Sequence, residues 1–298
     1  MATTSLFGVP HYYQLTPGGA AAPLVFIHGW LLSHLYWQPI IQQLSQNHPC
    51  LAYDLRGFGQ SCLGLEQYEA GLPERAKALQ ATESPYGLGA YARDLAALLS
   101  QLDLGPVWLV GHSLGGSVAL WMAYCYPELV QGVICLNSGG GIYIERDFQQ
   151  FRRAGEQIVR WRSPWLGRVP VLPWLLTRMM VAKPLPYHWG WQRCRDMLCA
   201  HPAAALGSLL ASTTEAEVHL LPRIVSSLTQ PVYFITGRQD QVMGPTFVYH
   251  LAGYLAATES GTKTVLELDN CGHMAMIEQP QAVVDVLKTM VLGPNLQG

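Results

Sequence analysis

The chain has 298 residues, of which half are hydrophobic, 13% charged and 10% aromatic, and it carries a formal net charge of −2 with a pI near 6.5. That composition supports a sizeable core and excludes a largely disordered chain. The charge balance lacks the basic footprint of a nucleic-acid-binding protein.

Residues 1–23 lack a basic n-region and an apolar h-region, so no secretory signal is expected. Seven cysteines, at 50, 62, 125, 135, 194, 199 and 271, are scattered with no CxxC pair and no zinc-ligand spacing. Reduced thiols in a cytoplasmic chain are therefore expected, with neither metal nor cofactor.

Short apolar runs bounded by Pro or Gly follow in order at 23–28, 49–54, 106–111, 130–136, 231–236 and 264–268. Each is too short for a helix and almost continuously apolar, which predicts strands buried on both faces. Helical patterns separate most of them, at 36–46, 89–103, 114–126, 244–257 and 276–291. The alternation predicts an α/β fold, a mostly parallel central sheet with helices on both sides.

Two segments interrupt the alternation. Residues 62–88 read as a loop with one short helix. Residues 138–222 contain no strand pattern but hold five of the nine tryptophans, and their ten Lys and Arg against six Asp and Glu make them about +4. The remainder, with eight bases against fourteen acids, is about −6. A helical cap over 138–222 is expected, inserted into a core domain formed by 1–137 and 223–298. The most membrane-like window, 164–186, contains prolines, Arg168, Arg178 and Lys183, so it is not a spanning helix.

The strand ends carry the chemistry, because open α/β sheets bind ligands beyond the carboxyl ends of their strands. Gly111-His112-Ser113-Leu114-Gly115 follows a strand pattern and opens a helix pattern. That is the setting of a nucleophile elbow, a sharp turn relieved by flanking glycines. A serine hydroxyl needs a base and a group that orients the base. His273, after the last strand and beside Gly272, is the candidate base, while His28 reads as loop scaffolding and His112 as flanking the nucleophile without reacting. Asp240, four residues past Thr236, is the candidate acid, giving the chain order Ser, Asp, His. Its competitor is Asp269, and Asn137 stands where an earlier strand end could have supplied an acid. Backbone N–H groups of Trp30 and Leu114 are the candidate oxyanion donors.

At this point the chain resembles the α/β-hydrolase superfamily over nearly its whole length. The matching motifs are HGW at 28–30, DLRGFGQS at 54–61, GHSLGG at 111–116, GRQD at 237–240 and GHMAMIEQP at 272–280. The resemblance implies Ser113, Asp240 and His273 as catalytic residues, Trp30 and Leu114 as the oxyanion hole, and a cap over 138–222. Serine at the elbow separates the chain from epoxide hydrolases and haloalkane dehalogenases, which resemble it but carry aspartate there.

The expected activity is hydrolysis of carboxylic esters of apolar acyl or prenyl groups, since an aromatic cap predicts an apolar pocket. A C–C bond hydrolase or lyase acting on a small keto acid would use the same three residues, and a non-catalytic binding protein is a third reading. Tryptophan mixed with Arg and Lys in the cap also suggests peripheral contact with membrane lipid. The alternative is that the tryptophans pack the cap onto the core and the arginines form its solvated face.

Overall fold

The computed structural model describes residues 2–255 and 264–292. One eight-stranded sheet contains β1 (Ala2–Leu6), β2 (Val9–Thr16), β3 (Leu24–Ile27), β4 (Cys50–Tyr53), β5 (Val107–His112), β6 (Val130–Leu136), β7 (Val232–Gly237) and β8 (Val265–Leu268). Their order is β1-β2-β4-β3-β5-β6-β7-β8. From β4 to β8 every neighbouring pair is parallel. The six strands expected from apolar runs are all present, and β3, β4 and β5 are buried at every position.

The first two strands were not anticipated. They form an antiparallel hairpin that continues the sheet beyond β4, turning at Phe7 and Gly8, both with positive φ. Strand β2 is only partly covered toward its end, so it lacks the continuous apolar run that marks the central strands.

The helices are α1 (Gln38–Leu44), α2 (Glu74–Ala78), α3 (Leu88–Gln101), α4 (Leu114–Cys125), α5 (Glu145–Trp161), α6 (Leu172–Arg178), α7 (Tyr187–Cys199), α8 (Pro202–Ser212), α9 (Glu215–Ser227), α10 (Pro245–Ala252), α11 (Ala275–Glu278) and α12 (Pro280–Leu292). The segment 62–88 contributes α2 and a 3₁₀ turn at 65–67. The helix expected at 276–291 is divided between α11 and α12, because Gln279 precedes Pro280 and is pushed out of helical geometry, to φ −140°. Of the helix expected at 244–257, the final two positions lie outside the described residues. Helices α5 to α9 connect β6 to β7, and the last of them carries Pro222 within it and continues to Ser227.

Two apolar clusters flank the sheet. One gathers α3, α4 and α9 side chains such as Leu95, Trp121 and Ile224. The other gathers α1 and α12 side chains such as Ile40, Ile41 and Val284. This two-sided packing is what fixes the strand ends as a single rim, on which the functional loops stand.

The loop after β4 is held by buried charge. Arg56 Nε donates to Asp94 Oδ2 at 2.9 Å, and the guanidinium carbon lies 3.4 Å from the Tyr68 ring centroid. Tyr68 Oη donates to the second Asp94 oxygen at 3.1 Å. Asp54 accepts the His34 N–H at 2.7 Å, His34 Nδ1–H at 2.9 Å and the Gln60 N–H at 2.8 Å. Burial opposes its charge, but these bonds and His34 hold its carboxyl below the usual range.

Arg56→Leu strands the Asp94 carboxylate in the core and is expected to cost about 3–5 kcal/mol in denaturant unfolding. The double variant Arg56→Leu/Asp94→Leu should recover part of that loss. A double variant less stable than the sum of the two singles would show that the pair does not act as a unit.

Candidate active site

Ser113 links β5 to α4 with φ 52° and ψ −120°. A non-glycine residue in such a conformation costs on the order of 1–3 kcal/mol and persists only where its surroundings enforce it. Here they do. A Cβ on Gly111 would lie 2.3 Å from the Gly115 carbonyl oxygen, and one on Gly115 would lie 2.3 Å from that of Ile27. The helix therefore sits closer to the sheet than any side chain at these positions allows. The Ser113 N–H donates to the Leu136 carbonyl at 3.0 Å, tying the elbow to β6.

Gly29 brings the loop after β3 against the elbow, since a Cβ there would stand 3.2 Å from Ser113 Cβ and 2.8 Å from His112 Nδ1. Among the described residues, no protein acceptor takes the N–H of Trp30 or of Leu114. Both expected donors thus flank Ser113 with their N–H groups uncommitted. The Trp30 indole is anchored separately, donating from Nε1 to the Ala205 carbonyl at 2.8 Å.

Asp240 and His273 meet directly, with His273 Nδ1–H donating to Asp240 Oδ2 at 2.8 Å. The other carboxylate oxygen accepts the N–H groups of Val242 at 2.8 Å and Met243 at 2.9 Å. Burial alone would raise the Asp240 pKa, but the neighbouring His273 and these N–H groups outweigh it and keep the carboxyl below its ordinary value. Asp240 is therefore an ionised group at neutral pH, and with Nδ1–H committed to it, Nε2 is the free nitrogen of His273. Among the described residues, no hydrogen bond joins that imidazole to Ser113 Oγ. Its ring centroid lies 4.8 Å from that of His112, the residue before Ser113.

The competitor for the acid role is placed elsewhere. Asp269 is 67% exposed and pairs with Arg238 at 2.6 Å on the surface. Asn137, at φ 48° after β6, does take part: its Nδ2 donates to Asp240 Oδ2 at 2.9 Å and to the Gly272 carbonyl at 3.0 Å. Its position at a strand end was the only signal in the sequence.

His112 and His28 are scaffolding. His112 Nε2–H donates to the His273 carbonyl at 2.7 Å, and burial, reinforced by His273, pushes its pKa down to about 3, so it is neutral. His28 Nε2 accepts the Leu55 N–H at 2.9 Å, and burial lowers its pKa as well. Glu278, within GHMAMIEQP, was overlooked as a positioning residue. Its carboxylate accepts the N–H groups of Gly272 and Met274 at 3.0 Å and of Ala182 at 2.8 Å. The His273 N–H donates to the Met180 carbonyl at 2.7 Å. The histidine loop is thereby stitched to the segment between α6 and α7.

A cavity of about 370 Å³ opens on Ser113. Trp30, Leu114, Phe148, Phe151, Leu209 and Phe247 supply apolar wall, and among the described residues Asp147 is the one charged residue lining it, with no Lys or Arg. Among the described residues no group of His, Cys, Asp and Glu side chains could hold a metal ion.

The family model for the alpha/beta hydrolase fold matches residues 22–280. An uncharacterized protein of Mycobacterium tuberculosis is 34% identical over 282 residues, covering 91% of this chain and 75% of its own length. A 2-succinyl-6-hydroxy-2,4-cyclohexadiene-1-carboxylate synthase of Salmonella paratyphi A is 28% identical, covering 92% of this chain and 96% of the relative. In fold, the chain is similar to an esterase from Exiguobacterium antarcticum, with a TM-score of 0.75 at 18% identity and 96% of each chain covered. The chain belongs to the α/β-hydrolase fold family.

A fluorophosphonate probe that reports serine nucleophilicity separates the two acids. Asp240→Asn is expected to slow labelling of Ser113 by about 10³- to 10⁴-fold, because the imidazole loses its oriented tautomer. Asp269→Asn should leave the rate within about two-fold, its ion pair being exposed. A larger loss in Asp269→Asn would reverse the assignment.

Proposed function

We propose that this α/β hydrolase is a serine esterase acting on carboxylic esters with an apolar acyl or prenyl group. The observation that carries the reading is the cavity, which opens on Ser113, is lined mostly by aromatic and aliphatic side chains and, among the described residues, offers no Lys or Arg. Its volume of about 370 Å³ falls within the range of small-molecule sites. Helices α5, α8 and α9 supply Phe148, Phe151, Leu209 and Val218 to its wall, and in this reading α5 to α9 are a cap.

The proposed sequence of steps follows from the geometry. Ser113 Oγ attacks the ester carbonyl while His273 Nε2 takes its proton, and Asp240 stabilises the imidazolium that forms. The carbonyl electrons move to an oxyanion that accepts the N–H groups of Trp30 and Leu114, fixed donors that need no reorganisation during reaction. Collapse expels the alcohol, protonated by His273, and leaves an acyl-Ser113. Water deprotonated by His273 then attacks the acyl carbon and regenerates the serine. Catalytic hydrogen bonds in unliganded sites are often long, so the missing Ser113–His273 bond is compatible with this order of events.

A second reading is a C–C bond hydrolase or lyase using the same three residues on a small keto acid, and the similarity to a Salmonella synthase of a carboxylate keeps chemistry other than ester hydrolysis in view. An anionic substrate of that class would lose its hydration beside Asp147 with no Lys or Arg among the described lining residues to replace it, which is costly. The cavity therefore favours a neutral ester.

Across p-nitrophenyl esters from acetate to palmitate, kcat/KM is expected to rise with acyl length until the cavity is filled. Ser113→Ala should abolish turnover while thermal unfolding stays close to that of the parent. Residual activity within a few-fold of the parent would rule out Ser113 as nucleophile. Serine-dependent turnover of keto acids with no ester hydrolysis would favour the lyase.

A further inference from the structure

We propose that residues 157–195, from the end of α5 to α7, dock the protein on an anionic lipid surface. This stretch contains seven Lys and Arg, five of the nine tryptophans and no Asp or Glu. Two of the arginines turn inward: Arg162 Nη1 donates to the Met197 carbonyl at 2.8 Å and Arg193 Nη1 to the Leu31 carbonyl at 2.9 Å. The other five cations, Arg160, Arg168, Arg178, Lys183 and Arg195, are exposed. Among the described residues none of them pairs with a carboxylate.

Packing explains one of the five tryptophans. Trp189 stacks on the buried Tyr36 with centroids 5.5 Å apart. Trp161, Trp165, Trp174 and Trp191 face solvent, the first two 74% and 60% exposed, together with Val171 and Met179. Trp165, Trp174 and Trp191 stand on elements that touch one another or a common helix. Helices α6 and α7 pack side by side, and the 3₁₀ turn at 164–168 rests on α7. Trp174, Arg178 and Tyr187 rim one shallow depression, and Tyr187 meets Trp191 edge-on at 5.9 Å.

Exposed tryptophans beside unpaired cations match the chemistry of a lipid headgroup layer, where indole rings sit at the interface and Lys and Arg approach anionic headgroups. A second copy of the chain fits poorly. A two-fold contact sets a patch against itself, so the five unpaired cations would meet five more. The same α5 that ends in Trp161 lines the cavity with Phe148 and Phe151. Ten residues of helix, about 15 Å, separate Phe151 from Trp161, which sets the cavity wall close to the lipid.

Co-sedimentation of the full chain with vesicles tests docking without reference to hydrolysis, and Ser113→Ala protein keeps failure of the esterase reading from affecting the outcome. Binding is expected to vesicles of mixed phosphatidylglycerol and phosphatidylcholine, to be far weaker on phosphatidylcholine alone, and to fall with added salt. Each cation near such a surface is worth about a five-fold change in affinity, so Arg168→Glu/Lys183→Glu should weaken binding by at least about twenty-fold. Trp161→Ser/Trp165→Ser should also weaken it. In the unaltered protein, brominated phosphatidylglycerol should quench tryptophan fluorescence, a readout that needs no folded variant. Three results would overturn the proposal: no binding at low salt, equal binding to both vesicle types, or a dimer that the same substitutions dissociate.

Discussion

Ser113 holds an unfavourable backbone geometry because its neighbours leave it no other, and the arrangement of the site follows from that crowding. Gly111 and Gly115 let α4 approach the sheet until carbonyl oxygens stand where side chains would begin, and at Gly116 the Ser138 side chain stands there. Gly29 lets the loop after β3 approach the His112 ring and Ser113 as closely. If α4 moved outward to accommodate larger residues, the serine could relax toward ordinary φ. The Leu114 peptide, next in the chain, would turn with it. Strain at Ser113 and the placement of the peptide that follows it are thus a single constraint, enforced most firmly by the backbone contacts at Gly111 and Gly115, which cannot adapt as side chains do.

The histidine is held differently, by hydrogen bonds from three directions. Asp240 orients the ring, His112 grips its carbonyl and Met180 accepts its N–H. The third partner comes from the helical insertion, and Glu278 reinforces that attachment by bonding both Ala182 and the loop. Displacing residues 180–182 would leave the His273 N–H and the Glu278 carboxylate without these partners. An uncompensated buried polar group is expensive. The segment at 180–182 therefore behaves as part of the active-site scaffold, while α5, exposed along much of its length, is tied to its neighbours mainly through α8.

The central sheet was legible because strands buried on both faces must be apolar throughout, and few other structures impose that pattern on so short a run. The N-terminal hairpin was not, since an edge strand with one partly wet face looks like an ordinary loop. Ser113 and His273 stood out by strand-end position and adjacent glycine. In space Asp269, the nearer to His273 in sequence, pairs with Arg238, and the more distant Asp240 reaches the imidazole. Asn137 and Glu278 act through contacts made across the sheet rim or to the insertion. Nothing local in the sequence encodes such partnerships, so they became visible only with the fold.

Net charge conceals another property that only its distribution reveals. A total of −2 combines an insertion near +4 with a remainder near −6. Near an anionic surface this separation acts as a torque as well as an attraction, because the acidic core is repelled while the insertion is drawn in. The effect is confined to about a Debye length, roughly 8 Å at physiological ionic strength, so only groups already at the surface contribute. Arg168 and Lys183 are exposed and meet that condition, and the exposed indoles need no long-range field, since they act on contact. Orientation would thus be set by charge and retention by tryptophan, with α5 spanning the distance from that surface to the cavity on Ser113.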